Sequence, residues 1–398
     1  MASGLAIPRG FKAAGVKAGV KPSGGMDLAV LVADRPCAAA GTFTTNRVAA
    51  APVQWDRLRV PSREVRAVVV NSGNANAATG ALGFENARKT AAAAAGRLGC
   101  RAEQVLVAST GVIGHQLPMD CILDGLERAL GAATENEAAF RDAAQAILTT
   151  DTRSKIVARC STIGQDSVTV LGLAKGAAMI GPRMATMLAF VMTDACVSPT
   201  DLQAILSDAV DCSFNCISVE GHTSTNDTVL LLASGASGQA PLQGKECEAL
   251  ADLVRESCVE LARMIPADGE GAQHLITIDV EGCRDRTQAR TIARAVADSP
   301  LVKTAISGAD PNWGRIVSAA GYSGVPFEEP ELSLWLNGVL LYRDGAPVDF
   351  DAQRLSSAIK SQSDVLIRLV FTHGPASIRF WTCDLTAEYV RLNADYTT

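Results

Sequence analysis

The chain has 398 residues, 48% of them hydrophobic and 20% charged, with a net charge of −6. That length accommodates two or three domains with sizeable cores, and the lack of any basic block argues against nucleic acid as a partner. No apolar run reaches the length of a membrane span, and the opening MASGLAIPRGFKAAGVKAG has no continuous apolar stretch ahead of a cleavage site, so a soluble, cytoplasmic protein is expected.

In chain order, MDLAVLVAD and VRAVVVNSGNANAATG read as strands ending in turn residues. GFENARKTAAAAAGRLG reads as a helix stopped by glycine, and QVLVASTGVIG as a strand running into a Thr-Gly turn. MDCILDGLERAL and NEAAFRDAAQAILTTD have helical spacing, and DSVTVLGLAKG is again strand-like. Gly181 and Pro182 then punctuate the chain before an apolar run from Thr186 to Val191, which predicts a strand buried on both faces. SPTDLQAILSDAVDCSF opens with a Ser/Thr/Asp cap and predicts a helix. NCISV and TVLLLASG predict strands around a loop, and ECEALADLVRESCVELARM a long helix ended by Pro266. HLITIDVEG begins a last α/β portion, which continues through PELSLWLNGVLLYRDG to the C-terminus. The tail segment AEYVRL is apolar enough at Tyr389, Val390 and Leu392 to dock.

The expected organisation is a compact α/β protein with interleaved strands. It divides into an N-terminal portion, 1–195, a middle segment, 196–280, and a C-terminal portion, 281–398.

Eleven cysteines are scattered without a CxxC pair, the nearest being Cys212 and Cys216, so reduced thiols are expected. Four histidines (His115, His222, His274, His373) lie far apart without metal-site spacing, so no metal is expected. Neither a phosphate-binding glycine loop nor a GxSxG nucleophile motif is present. The remaining chemistry lies in Thr-, Gly- and Asn-rich turns at strand ends, which offer hydroxyls and backbone N–H groups suited to an oxyanion. Thr110-Gly111 is one such pair; by itself it reads as a simple turn.

Thr186 raises a sharper question. A threonine hydroxyl needs a neighbouring base to act as a nucleophile, and its own α-amine, with a pKa of about 8, is one known solution. An internal Thr186 acquires that amine only if the Ala185–Thr186 bond is cut, which an N→O acyl shift accomplishes. The hydroxyl attacks the Ala185 carbonyl, and water opens the ester. The cut separates a segment with 21 basic and 14 acidic residues from one with 15 and 28, so the two fragments carry opposite net charge.

The segment KGAAMIGPRMATMLAF resembles the self-cleavage region of the ornithine acetyltransferase family, the glutamate N-acetyltransferases of arginine biosynthesis. NSGNANAATG, ASTGVIGHQLP, TTDTRSK, TSTNDT, DGEGA, SPLVKTAISGADPNWGRI and YVRLNADYTT follow in family order over nearly the whole chain. The resemblance implies a layered α-β-β-α sandwich of N-terminal-nucleophile type plus a smaller α/β C-terminal portion. It implies cleavage between Ala185 and Thr186, with Thr186 as nucleophile and Thr110 and Gly111 as the oxyanion pair. Thr152, Lys175, Thr186, Glu270, Asn393 and Thr398 match substrate-binding positions.

The implied reaction moves an acetyl group from N-acetylornithine to glutamate through an acetyl ester on Thr186, without cofactor. The implied assembly is a tetramer of two α and two β fragments. The resemblance leaves acetyl-CoA open as a second donor. A related N-terminal-nucleophile amidase or aminopeptidase, and an uncut binding protein, stand as alternatives. Charge complementarity assigns Lys175 to a substrate carboxylate and Glu270 to a substrate ammonium. The family commonly has Asp where this chain has His222. The Asp310, Asn312, Trp313, Arg315 signature is divided evenly between structure and pocket wall.

Overall fold

The computed structural model describes residues 4–181, 187–238 and 240–395. The expected cleavage junction at Ala185 and Thr186, Pro182 before it, and Thr398 lie outside the described residues.

The chain forms two units, the first made of residues 1–215 and 223–265. It contains β1 (Phe11–Val16), β2 (Leu28–Phe43), α1 (Ala51–Arg57), β3 (Ser62–Asn74), α2 (Gly80–Leu98), β4 (Val105–Val112), α3 (Met119–Ala132) and α4 (Glu137–Ala146). β5 (Lys155–Ile163), β6 (Asp166–Lys175), β7 (Leu188–Thr193), α5 (Pro199–Cys212), β8 (Thr228–Ala233) and α6 (Lys245–Met264) complete it. The strands pair in the order β4-β3-β2-β8-β7-β6-β5, with β1 added to β2.

The 16-residue β2 joins the two halves of this sheet. Its first part pairs with β1 and its last part with β8, from Ala38↔Ala233 to Phe43↔Thr228. Between them Asp34, Arg35 and Pro36 are exposed, and the register with β3 breaks between Val32 and Cys37. Proline cannot donate to a ladder, which fits such a break. The sequence reading ends this strand at Asp34, whereas the structure carries it through to Phe43.

Alternation along the strands builds the layers. Ala29, Leu31, Val68, Val70, Leu106 and Ala108 from one half share a core with Leu171, Leu173, Leu188, Phe190, Met192, Leu230 and Leu232 from the other. Their neighbours Leu28, Val30, Ala67, Val69, Val105 and Val107 face outward onto α1, α2 and α3. α6 covers β5 and β6, and α5 covers β8. Gly172 allows that close approach, since a Cβ there would lie 2.5 Å from Leu261 Cδ1. This is the layered sandwich expected from the sequence. β7 is buried at all six positions, between antiparallel β6 and parallel β8.

The second unit comprises residues 216–222 and 266–397. It contains β9 (Leu275–Cys283), α7 (Arg286–Ala297), α8 (Pro300–Ser307), α9 (Trp313–Gly321), β10 (Ser333–Leu336), β11 (Val339–Arg343) and β12 (Ala346–Pro347). α10 (Ala352–Ser361), β13 (Asp364–Val370), β14 (Ala376–Cys383) and α11 (Ala387–Asp395) follow. Its sheet runs β12-β11-β10-β13-β9-β14, giving the smaller α/β portion. The three segments expected from the sequence cut across this division, because β7 and β8 lie side by side in one sheet. NCISV is not a strand; within it only Ile217 bridges to Trp381. The Asp310–Arg315 signature builds local structure. Asn312 caps α9 by accepting the Arg315 N–H, and Trp313 stacks on Tyr342 at 5.7 Å. None of the eleven cysteines forms a disulfide.

Because Phe190 is fully buried in the central strand β7, Phe190→Ala is expected to lower the unfolding free energy by about 3–5 kcal/mol. Denaturant titration checks this, and a loss under 1 kcal/mol would place Phe190 outside the core.

Candidate active site

β3 and β4 run parallel, so their C-terminal ends lie at the same edge of the sheet. β4 ends in Ser109, Thr110, Gly111 and Val112; β3 ends in Asn71, Ser72, Gly73 and Asn74. The two ends approach closely. Gly111 has φ of +130°, and a Cβ on it would fall 2.3 Å from the Gly73 carbonyl carbon. Position 111 therefore requires glycine on both conformational and steric grounds.

Lys175, the last residue of β6, is buried at 1% exposure, as is Thr110. The Lys175 Nζ donates to Thr149 Oγ1 at 2.7 Å and to Thr110 Oγ1 at 3.3 Å. It also lies 3.8 Å from Asp151 Oδ2. The other Asp151 oxygen accepts from Lys155 Nζ at 2.7 Å and from the Gly176 N–H at 2.6 Å. Burial opposes the charge on Asp151, but Lys175, Lys155 and the Gly176 N–H outweigh it and hold the carboxyl at about 2. Thr152 follows Asp151 directly and is exposed. Lys21 belongs to the same neighbourhood. Burial lowers its pKa, and Lys175 repels its charge while Asp27 and Asp151 favour it.

A second cluster leads into β8. Asn226 Nδ2 donates to Ala75 O at 2.6 Å and to Ser109 O at 2.8 Å. Its Oδ1 accepts from Thr225 Oγ1. Asp227 is fully buried, and its Oδ1 accepts from the Met187 N–H at 3.1 Å. Thr44 and Ser224 lie beside it, yet neither hydroxyl meets Oδ2 with hydrogen-bond geometry. Burial raises the Asp227 carboxyl well above the usual carboxylate range, against the weaker pull of the Met187 N–H, the two hydroxyls and Lys175.

In the second unit, Asn393 Nδ2 donates to Glu270 Oε2 at 2.8 Å. Of the three residues expected to dock the tail, Tyr389 is half-buried, whereas Val390 is 60% exposed and Leu392 37%. Polar contacts also hold α11. Thr386 Oγ1 donates to Gly271 O at 2.7 Å, and a Cβ on Gly271 would fall 2.6 Å from the Tyr389 nitrogen.

The structure thus joins Thr110 to Lys175 in the first unit, next to Gly111, and Glu270 to Asn393 in the second. Sequence reasoning missed Asp151, Lys155 and Thr149, although Asp151 stands inside TTDTRSK. Asn226 and Asp227 stood inside TSTNDT without a role. His222 is exposed. Among the described residues no group of acidic, histidine or cysteine side chains forms a metal cluster, and no helix is long and apolar enough to cross a membrane.

The model of the ArgJ family matches residues 12–398. The arginine biosynthesis bifunctional protein ArgJ of Rhodopirellula baltica is 45% identical over 98% of this chain and 96% of its own length. That of Parasynechococcus marenigrum is 46% identical over 100% of this chain and 96% of its own. The crystal structure of the Bacillus halodurans arginine biosynthesis bifunctional protein argJ is similar with a TM-score of 0.51 and 36% identity. The match covers 52% of this chain and 98% of that one.

Asp151→Asn, which leaves two buried ammonium groups without their shared carboxylate, is expected to cost about 3–5 kcal/mol of stability. The folded-state pKa of Asp151 lies below its ordinary value of 3.8. Its contribution is therefore complete above that value and lost as pH falls toward about 2. The stability gap between wild type and Asp151→Asn should hold at neutral pH and shrink between pH 4 and pH 2. A gap that widens on acidification would contradict the ion-pair assignment.

Proposed function

The chain belongs to the ArgJ family, and on that premise we propose that it is the acyltransferase of arginine biosynthesis that moves acetyl from N-acetylornithine to glutamate. The observation that carries this reading is the buried contact between Lys175 and Thr110 at the ends of β6 and β4. A lysine that donates to the Thr110 oxygen leaves the hydroxyl proton to point elsewhere. It also polarises the O–H toward donation, which suits a group facing a developing oxyanion.

In this reading the chain cuts itself between Ala185 and Thr186, and the freed amine of Thr186 serves as base for its own hydroxyl. Thr186 Oγ attacks the acetyl carbonyl of N-acetylornithine, and its proton passes to the α-amine. Thr110 Oγ and the Gly111 N–H stabilise the oxyanion. Ornithine departs with the proton, leaving an acetyl ester on Thr186. The amine of glutamate attacks that ester, N-acetylglutamate leaves, and the Thr186 hydroxyl is restored. One acetyl ester lies between two amides, so the exchange needs no nucleotide or metal.

Lys175 acts through Thr110, and its charge also favours the carboxylates common to both substrates. Thr152, Glu270, Asn393 and Thr398 bind substrate, with Glu270 held by Asn393 and suited to an ammonium group. Strands on either side of the junction, β6 and β7, are paired neighbours, which supports two fragments that stay joined after the cut.

The purified protein should contain a fragment beginning Thr186-Met187-Leu188 and should produce N-acetylglutamate from N-acetylornithine and glutamate. Thr186→Ala should remain one intact chain and lose activity by at least 10³-fold, on the scale seen when a nucleophile is removed. N-terminal sequencing and a product assay check both. Free acetate in place of N-acetylglutamate would point to an amidase.

A further inference from the structure

Asn226 and Asp227 are adjacent in the chain, and their side chains hydrogen-bond to different segments, Asn226 to Ser109 in β4 and Asp227 to Met187 just before β7. The Ser109 carbonyl that accepts from Asn226 Nδ2 belongs to the peptide unit whose N–H is that of Thr110. The Met187 N–H that donates to Asp227 Oδ1 belongs to the peptide unit whose carbonyl is that of Thr186. The main chain fastens the same place further: Thr228 N–H donates to Met187 O at 3.2 Å, and Thr44 N–H donates to Asp227 O at 3.0 Å.

We propose that Asn226 and Asp227 are positioning residues for acetyl transfer, which fix the peptide before Thr110 and the peptide after Thr186 relative to one another. The inference rests on the acetyl-transfer reading. A nucleophile and an oxyanion donor must keep a set distance, and errors near 1 Å cost large factors in rate. Two consecutive buried residues that hydrogen-bond to both segments provide that constraint. Both are closely held. Asn226 is 4% exposed and Asp227 0%, and the Asn226 side chain uses its carbonyl and its amide in three hydrogen bonds.

The role assigned to Asp227 is hydrogen-bond acceptance from Met187, not charge. Asparagine offers the same acceptor in the same shape, so it should substitute; alanine should not. This separates positioning from service as a base or counter-ion, which asparagine would abolish. It also separates positioning from substrate binding, which would appear in KM.

The test compares wild type, Asp227→Asn, Asp227→Ala and Asn226→Ala as full chains, with rates normalised to cleaved protein and thermal unfolding measured alongside. Asp227→Ala and Asn226→Ala should each lower kcat at least tenfold while KM for N-acetylornithine changes less than threefold. Asp227→Asn should stay within threefold of wild type in kcat. Full kcat in Asp227→Ala, a loss in Asp227→Asn as large as in Asp227→Ala, or an effect confined to KM would each overturn the proposal. If either alanine variant does not fold, the Asp227→Asn rate decides alone, retention supporting the proposal and loss overturning it. A wild type that makes no N-acetylglutamate overturns the functional reading and this inference with it; an active wild type matched by Asp227→Ala overturns this inference only.

Discussion

Asp151 lies between two buried ammonium groups, Lys155 at 2.7 Å and Lys175 at 3.8 Å, with its side chain fully enclosed. Charges so placed are costly unless they are paired and hydrogen-bonded. Here the carboxylate also accepts N–H groups from Gly176 and Thr149. That constraint sets the position of Lys175, and through Lys175 the orientation of the Thr110 hydroxyl. The cluster therefore places a lysine ammonium, held by a carboxylate, beside the Thr110 hydroxyl.

The sandwich explains how such a cluster can be buried at all. The inner faces of the two sheet halves share one core, so strand ends from both halves converge without leaving it. Small residues make the approach possible: Gly111 against Gly73 at the site, and Gly172 under Leu261 on the outer face. Alanine-rich α2 packs flat on β3 and β4 for the same reason. The low aromatic content of the chain, 5%, thus corresponds to close backbone packing.

Much of the first unit was legible in the sequence. The helices at 83–99, 119–130 and 246–264 and the strands at 166–176 and 228–235 have strong periodicity, and all appear close to those bounds. The short β1 and the tail helix α11 were harder, because neither has a long period. The anchoring of the tail was legible only in part: Tyr389 is half-buried, but Val390 and Leu392 are exposed, and the Thr386 hydroxyl and the turn at Gly271 also hold it. At the site, Thr110, Gly111 and Lys175 were reached through family resemblance. Asp151, Asn226 and Asp227 were not assigned, since polar residues inside a loop motif look alike until the fold shows which of them are buried. Their burial depends on contacts across 25 to 151 residues of chain, which no local pattern encodes.

The central claim is that Thr186 carries the acetyl group between donor and acceptor. It is tested most directly by mixing the purified protein with N-acetylornithine without glutamate, quenching in acid, and measuring intact and peptide masses. The account predicts a fragment beginning at Thr186 that is heavier by one acetyl group, with the addition on Thr186 and its disappearance when glutamate is added before the quench. An unmodified Thr186 in a preparation that nevertheless forms N-acetylglutamate would contradict the account, because the transfer would then pass directly from donor to acceptor.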